Sequence, residues 1–378
     1  MKILVITRNY PTKHREMFPF VKQLVDEWSR QGHTCYVVVP YSILVERHLY
    51  KQKEIIEYPS GGKTIILRPN YISYSNVTKL NRKLSSFAWW RAFKRGLKWI
   101  HDDIDVVYCH FWQSLKAGSL YANAHNIPIF VANGESLVIN LYPNYQEERE
   151  LQKHVSGVIC VSTKCKDESI SLGLVQSDRC FVAPNAINNR LFRKLCKDEC
   201  RKKLGIDKDF FVVISVGSFS QRKGMNRIAE AIGSLGENVY SIFVGKGSVE
   251  PNCKNILFKG TLSHDEIPFY LNAADVFVLP TLNEGCCNAV VEAMACGLPI
   301  ISSNLSFNMD VLNDSNSIMI NPEDINEIAC AIKELHDNEE LRDKLSKGAL
   351  ITAEKLSISE RANNIVAFMK SMSPSSES

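Results

Sequence analysis

The stretch from Asp275 to Ser302 does most to limit the folds open to this chain. Asp275-Val-Phe-Val-Leu-Pro280 is a short apolar run stopped by a proline, and it reads as a buried parallel strand. A small-residue helix follows around Asn288-Ala-Val-Val-Glu292-Ala-Met-Ala-Cys, broken by Gly297-Leu-Pro299, and Pro299–Ser302 reads as the next strand. Glu284 then lies in the loop after a strand's C-terminal end, and Glu292 on the helix beyond it. In open α/β sheets that edge is where ligands bind. The helix start at Gly285, Cys286, Cys287 and Asn288 offers free amides and the positive end of a dipole, which suits a diphosphate.

The same alternation runs through both halves. Strands are expected at Ile3–Thr7, Thr34–Val39, Asp105–His110, Ile127–Ala132, Val158–Ser162 and Cys180–Ala183, with helices at Phe20–Gln31 and Ser114–His125. A second series reads Phe211–Val216, Ser241–Val244, Asn255–Phe258, Val276–Leu279, Pro299–Ser302 and Ile318–Ile320. Two βαβ series predict two parallel-sheet domains, 1–190 and 191–358, and 378 residues are enough for both. The division is expected within Asn188–Arg201, where the pattern lapses into a charged link. The tail from Ser373 to Ser378 is expected to be disordered.

Composition narrows the setting. A net charge of +4 is too mild to imply nucleic acid. The N-terminal run Met1–Thr7 is too short for a signal peptide, and no stretch approaches the roughly 20 apolar residues that span a bilayer. The 12 cysteines are scattered, and neither Cys196/Cys200 nor Cys286/Cys287 has a zinc-ligand spacing. They read as reduced, small apolar residues of a cytoplasmic protein.

After Phe211–Val216 comes Gly217-Ser218-Phe-Ser-Gln-Arg222-Lys223-Gly224: a strand, a glycine turn, two cations and a helix start. A nucleotide diphosphate needs cations at such an edge to neutralise the leaving group. Asp102-Asp103-Ile-Asp105 precedes its strand and so falls at the wrong edge for a metal site; it reads as a solvated turn. Gly245-Lys246-Gly247 reads as a tight turn.

Taken together, Pro280-Thr-Leu-Asn-Glu284-Gly-Cys-Cys-Asn288-Ala-Val-Val-Glu292-Ala-Met-Ala-Cys-Gly297-Leu-Pro299 resembles the Glu-x7-Glu signature of retaining family-4 glycosyltransferases (glycosyl transferases group 1). The resemblance is close over the C-terminal half and loose over the N-terminal half. It implies an α/β protein of GT-B fold, with two Rossmann-like domains facing across a cleft and a C-terminal helix, 359–373 here, crossing back to the first domain. It implies Glu284 on the hydroxyls of the donor sugar, Glu292 on the ribose, and Lys223 on the diphosphate. The family usually reads Gly-Arg-Leu-(x3)-Lys-Gly. Here Ser218 stands at the arginine's place, and Arg222 is the candidate to replace it. Phe258-Lys-Gly260-Thr261-Leu262 resembles the segment that holds the base through main-chain groups, and Val182-Ala-Pro184-Asn185-Ala-Ile187 the family's Pro-Asn-Gly-x-Asp segment. The family's usual histidine near the donor sugar is missing, with Gly134 or Glu135 at its place. Glu135 is therefore a catalytic candidate for sugar or acceptor contact, with a capping role as its alternative, and His110 reads as a satisfied structural histidine or a cleft-lining one.

The activity implied is a metal-independent hexosyltransferase that takes a UDP- or GDP-sugar as substrate and needs no cofactor. Its acceptor would be a glycan or lipid-linked glycan of bacterial surface polysaccharide. Two other readings stand beside it: a catalytically silent binding or scaffold subunit, and a sugar-nucleotide epimerase of the same fold. The segment Ala88–Ile100, read as a helix, places Arg91, Lys94, Arg95 and Lys98 on one face and Trp89, Phe93, Leu97 and Ile100 on the other. Trp90 and Trp99 flank these faces, and tryptophans are expected to be exposed there. Two readings stay open: a surface helix that packs its apolar side on the first domain, or a basic face resting on an anionic membrane, on its inner face for a cytoplasmic enzyme.

Overall fold

A computed structural model describes residues 1–12, 19–45, 51–74, 78–134, 151–236 and 238–373. The chain divides into two compact units. The first comprises Met1–Val161, Cys165–Ala183 and Ala362–Ser378, and the second Ser162–Lys164 and Pro184–Arg361.

In the first unit eight strands form one sheet. Their order across it is Cys180–Val182, Gly157–Cys160, Ile129–Asn133, Val106–His110, Lys2–Ile6, Thr34–Val38, Lys63–Leu67 and Lys53–Glu57. All neighbours pair in parallel except the last two. The central strands, such as Val106–His110, are buried along their whole length, as parallel strands covered on both faces must be. The antiparallel edge strand Lys53-Glu-Ile-Ile-Glu57 is mostly exposed and charged, which discourages pairing with other chains.

The helix Ile358–Met372 supplies part of this unit's core. Ala362, Ile365 and Met369 are fully buried. Trp28 Nε1 donates to the Ala362 carbonyl at 3.1 Å, and Phe368 stacks on Phe181 and meets Phe130 edge-on.

The second unit is a six-stranded, wholly parallel sheet ordered Ile256–Gly260, Val239–Val244, Phe211–Val216, Val276–Leu279, Ile300–Ser303, Ser317–Ile320. Val212, Ile214, Val276, Phe277, Val278, Ile300 and Ile301 are fully buried at its centre.

Three expectations change. The charged link is not a link: Lys197–Leu204 is a helix, and Arg201 on it is 4% exposed. Its guanidinium donates to Asp275 Oδ2 at 2.8 Å and to the carbonyls of Ala273 and Lys208, so its charge is matched inside the fold. The division between units falls at Ala183/Pro184, earlier than 190/191, because Ile187 is already tied to the second unit through Leu356 O and the Ser357 bridge. Asp102 and Asp105 do more than face solvent. Asp102 accepts from Tyr36 Oη at 2.6 Å and Asp105 from the Lys2 amide at 2.7 Å, tying the turn before Val106–His110 to the strands Thr34–Val38 and Lys2–Ile6. The tail beyond Ser373 lies outside the described residues.

Candidate active site

The strand order of the second unit reverses at one place. From Phe211–Val216 the chain winds outward through Val239–Val244 and Ile256–Gly260, and then returns to the other side with Val276–Leu279. Loops leaving two adjacent strands in opposite directions open a crevice at the C-terminal edge between them. Those two loops carry Lys223 and Glu284.

Backbone geometry brings the loops together. Gly224 has φ +75°, and a Cβ there would lie 2.8 Å from the Pro280 carbonyl, so a side chain is excluded twice over. The Leu282 amide donates to Arg222 O at 2.9 Å. Arg227, one turn into the helix Met225–Gly233, donates to Gln221 O at 2.8 Å and to Pro280 O at 2.7 Å, so one guanidinium grips both loops. Asn185 Nδ2 donates to Cys286 O at 3.0 Å, which ties the Pro-Asn segment to the Glu284 loop.

On this frame Glu284 Oε1 accepts from Lys223 Nζ at 2.8 Å and from Thr281 Oγ1 at 3.0 Å. Arg222 Nη1 reaches the same oxygen. Lys223 and Glu284 are largely buried, while Arg222 is exposed. Burial works against the Lys223 charge, but Cys287 and Glu284 beside it win, and its pKa rises above the ordinary 10.5. Cys287 Sγ lies 3.7 Å from Lys223 Nζ. Burial pushes that thiol up despite the lysine.

The helix bearing the second glutamate spans Asn288–Ala295, with Cys287 as its N-cap. Val290, Val291, Ala293 and Met294 bury one side of it in the core. Gly285 and Cys286 precede it, so its amide-rich end is next to Lys223. Glu292 lies on the second turn, and its Oε1 is 3.3 Å from His264 Nε2. His264 belongs to the loop after Ile256–Gly260 and carries no spacing signal that a sequence pattern could register.

The remaining expected residues fall as follows. Gly217 ends its strand, and its amide donates to Val244 O. Ser218 is exposed, its Oγ 3.4 Å from Ser220 Oγ. Thr261 is exposed just past its strand. Glu135 lies outside the described residues. His110 and Gly134 belong to the first unit, at or just past strand ends, with His110 packed 4.2 Å from the Phe111 ring. Phe111 itself has φ +66° and ψ 154°, a conformation costly for any residue with a side chain.

The basic helix is Lys79–Leu97, capped by Thr78, whose side chain accepts from the Asn81 amide. Arg91, Lys94, Arg95 and Lys98 are exposed. The tryptophans are not: Trp89 stacks on Phe93 at 5.3 Å, Trp90 meets it edge-on, and Trp99 is half-buried. The exposed apolar side chains of this helix are instead Leu80, Leu84 and Phe87, one helical stripe in its first half.

Two cations and a helix N-terminus at a sheet's reversal point can hold a diphosphate, with carboxylates on either side to accept from hydroxyls. Among the described residues, no group of three or more His, Cys, Asp or Glu side chains is placed to hold a metal ion.

Residues 197–350 match the family profile described as Glycosyl transferases group 1, and residues 19–190 that of Glycosyltransferase Family 4. The chain is 27% identical over 355 residues, 88% of each chain, to a Bacillus subtilis protein assigned as the teichuronic acid biosynthesis glycosyltransferase TuaC. It is 30% identical over 208 residues to the Escherichia coli UDP-Gal:alpha-D-GlcNAc-diphosphoundecaprenol alpha-1,3-galactosyltransferase, covering 50% of this chain and 53% of that one. Among solved structures, Anabaena HepE in complex with UDP superposes with a TM-score of 0.76 at 17% identity, covering 98% of this chain and all (100%) of that one. Sucrose-phosphate synthase from Thermosynechococcus elongatus superposes with a TM-score of 0.76 at 18% identity, covering 98% of each chain. At such identities the likeness is one of fold, and the fold is GT-B.

Proposed function

Because this chain belongs to the family-4 type glycosyltransferases of GT-B fold, we propose that it moves a hexose from a UDP- or GDP-sugar to a glycan or lipid-linked glycan acceptor of bacterial surface polysaccharide, retaining the configuration at the anomeric carbon. The observation that carries the donor is the meeting of Lys223 and Arg222 on Glu284 beside the N-terminal end of Asn288–Ala295. Lys223 and Arg222 take the diphosphate, Arg222 standing in for the arginine that Ser218 replaces. Glu284 takes sugar hydroxyls and Glu292 the ribose. The named donor of the E. coli relative and the ligand of the Anabaena structure are both uridine nucleotides, which supports UDP.

In this reading the bond from the sugar's anomeric carbon to the diphosphate oxygen breaks, and a bond to the acceptor oxygen forms on the same face. The acceptor's proton goes to the departing diphosphate. The transition state is oxocarbenium-like, so the protein's tasks are positioning and electrostatic stabilisation. The cations and the helix end supply the positive charge, and donor binding needs no added divalent ion. Titration calorimetry with UDP, GDP and ADP, each with and without magnesium or manganese, tests this. The expected result is binding of UDP or GDP in either condition; binding only with the metal would remove the cationic site from the reading. NMR of the product's anomeric proton tests retention.

We place the enzyme in the cytoplasm, on the inner face of the membrane. No helix among the described residues is long and apolar enough to cross a bilayer. The helix Lys79–Leu97 carries Lys79, Arg82, Lys83, Arg91, Lys94 and Arg95 and no acidic residue, and it exposes Leu80, Leu84 and Phe87 beside Ile72 and Tyr74. Cations near an anionic surface contribute about 1 kcal/mol each, and the apolar stripe adds burial in the headgroup layer. Co-sedimentation with phosphatidylglycerol liposomes should fall when Arg91, Lys94, Arg95 and Lys98 are changed to Ser, and fall in high salt. Equal pelleting of both proteins would leave the helix as packing alone.

A further inference from the structure

His264 is held on three sides. The Ser263 amide and hydroxyl both donate to Glu266 Oε2, at 2.8 and 2.6 Å, and this fixes the backbone just before it. The imidazole meets Phe192 edge-on, with ring centroids 5.0 Å apart and planes at 71°, and Phe192 is itself 1% exposed. Nε2 then faces Glu292 Oε1 at 3.3 Å. The Glu292 side chain is only 17% exposed, and among the described residues its other oxygen has no hydrogen-bond partner. One oxygen is thus anchored, and the second is left to accept from outside the protein.

The anchor comes from a telling place. His264 follows Gly260-Thr261-Leu262, the loop assigned above to the base, whereas Glu292 sits on a different helix and is assigned to the ribose. We infer that His264 is a positioning residue for donor binding, which fixes the Glu292 carboxylate for the ribose and sets the ribose contact and the base loop at one mutual distance. A free glutamate has three side-chain torsions to immobilise when it binds a hydroxyl, and an anchored one has already lost that freedom. The inference rests on the ribose role of Glu292 proposed above. It adds a residue that touches neither sugar nor phosphate, so its effect belongs to affinity and not to the chemical step.

The test is a double-mutant cycle on donor binding with His264→Ala, Glu292→Ala and the pair, read by calorimetry with UDP and GDP and by steady-state kinetics. His264→Ala should raise the nucleotide Kd and the donor KM roughly five- to tenfold, the scale of one ordinary net hydrogen bond, with kcat nearly unchanged. In the Glu292→Ala background the same change should cost little more. His264→Gln, whose amide can donate along a similar line, should recover most of the affinity and shows that a folded protein is being compared. Equal losses from His264→Ala in both backgrounds, or none in the wild type, would overturn the positioning role. Wild-type affinity in Glu292→Ala would instead overturn the ribose contact itself, and the positioning role with it.

Discussion

Lys223 Nζ lies 2.8 Å from Glu284 Oε1, with both side chains largely buried, so the lysine assigned to phosphate and the carboxylate assigned to sugar are each other's counter-ion. Removing Glu284 leaves Lys223 part-buried without its carboxylate, and removing Lys223 leaves Glu284 with Arg222 alone, so the two cannot behave as independent sites. Glu284→Ala should mainly lower kcat, on the order of a hundredfold. Lys223→Ala should lower kcat and weaken donor binding together, and Glu292→Ala should act on binding. The double variant Lys223→Ala/Glu284→Ala should lose less than the product of the single losses. Steady-state kinetics on the wild type and these variants decide it; wild-type rates in Glu284→Ala/Glu292→Ala would sink the site assignment.

The raised pKa of Lys223 sets a direction for pH. A group whose folded value lies above its unfolded one stabilises fully below the unfolded value, and loses that contribution as pH rises through the folded one. The unfolded reference is the ordinary 10.5, so the ion pair persists across the neutral range and fails only in alkali. Nucleotide Kd should show no Lys223 titration between about pH 7 and 9. A loss of affinity over that range in the wild type that disappears in Lys223→Arg would contradict the charged, paired lysine.

Arg201 and Asp275 make a second, purely structural pair. Asp275 also accepts from the Val212 amide at 2.6 Å, at the start of the central strand. Arg201→Ala leaves Asp275 with Lys197 as its remaining cation and takes the partner from the Ala273 and Lys208 carbonyls, and should destabilise the second unit by about 1–3 kcal/mol. Denaturant unfolding read by fluorescence measures it, and a shift under about 1 kcal/mol would mean the pair is exposed in solution.

Cysteine accessibility gives a fold-level check. Cys196 and Cys330 are exposed, while Cys35, Cys109, Cys286, Cys287 and Cys296 are buried as free thiols. Burial pushes Cys35 and Cys296 up to about 12. Ellman's reagent should therefore modify Cys196 and Cys330 rapidly, and the buried set only on unfolding. Fast reaction of Cys286 or Cys287, located by peptide mass, would mean the Glu284 loop opens.

The parallel strands were legible because burial on both faces demands unbroken apolar runs such as Val276-Phe-Val-Leu279. The edge pair Lys53–Glu57 and Lys63–Leu67 was not, since the first strand is charged and exposed and looks like a loop. Lys197–Leu204 looked like a link for the opposite reason: its buried arginine is matched by an aspartate 74 residues away, and no local pattern reports that. Spacing around strand ends brings out Lys223, Glu284 and Glu292 as candidates, and the structure sets Lys223 against Glu284. His264, Arg227 and Asn185 act through contacts between loops distant in sequence, which spacing cannot show. The exposed apolar stripe of Lys79–Leu97 is Leu80, Leu84 and Phe87, ahead of the tryptophans, because Trp89 and Trp90 pack with Phe93.

The helix Ile358–Met372 completes a core whose strands are drawn from the first half of the chain. Synthesis therefore delivers the first unit's sheet early and this core element late, with nearly all of the second unit between the two. A ribosome-bound chain can finish the second unit before the first. Until Ala362, Ile365 and Met369 emerge, the surface around Trp28 and Phe181 stays uncovered. A premature stop that costs only this helix would spare Lys223, Glu284 and Glu292 and still leave the first unit unfinished.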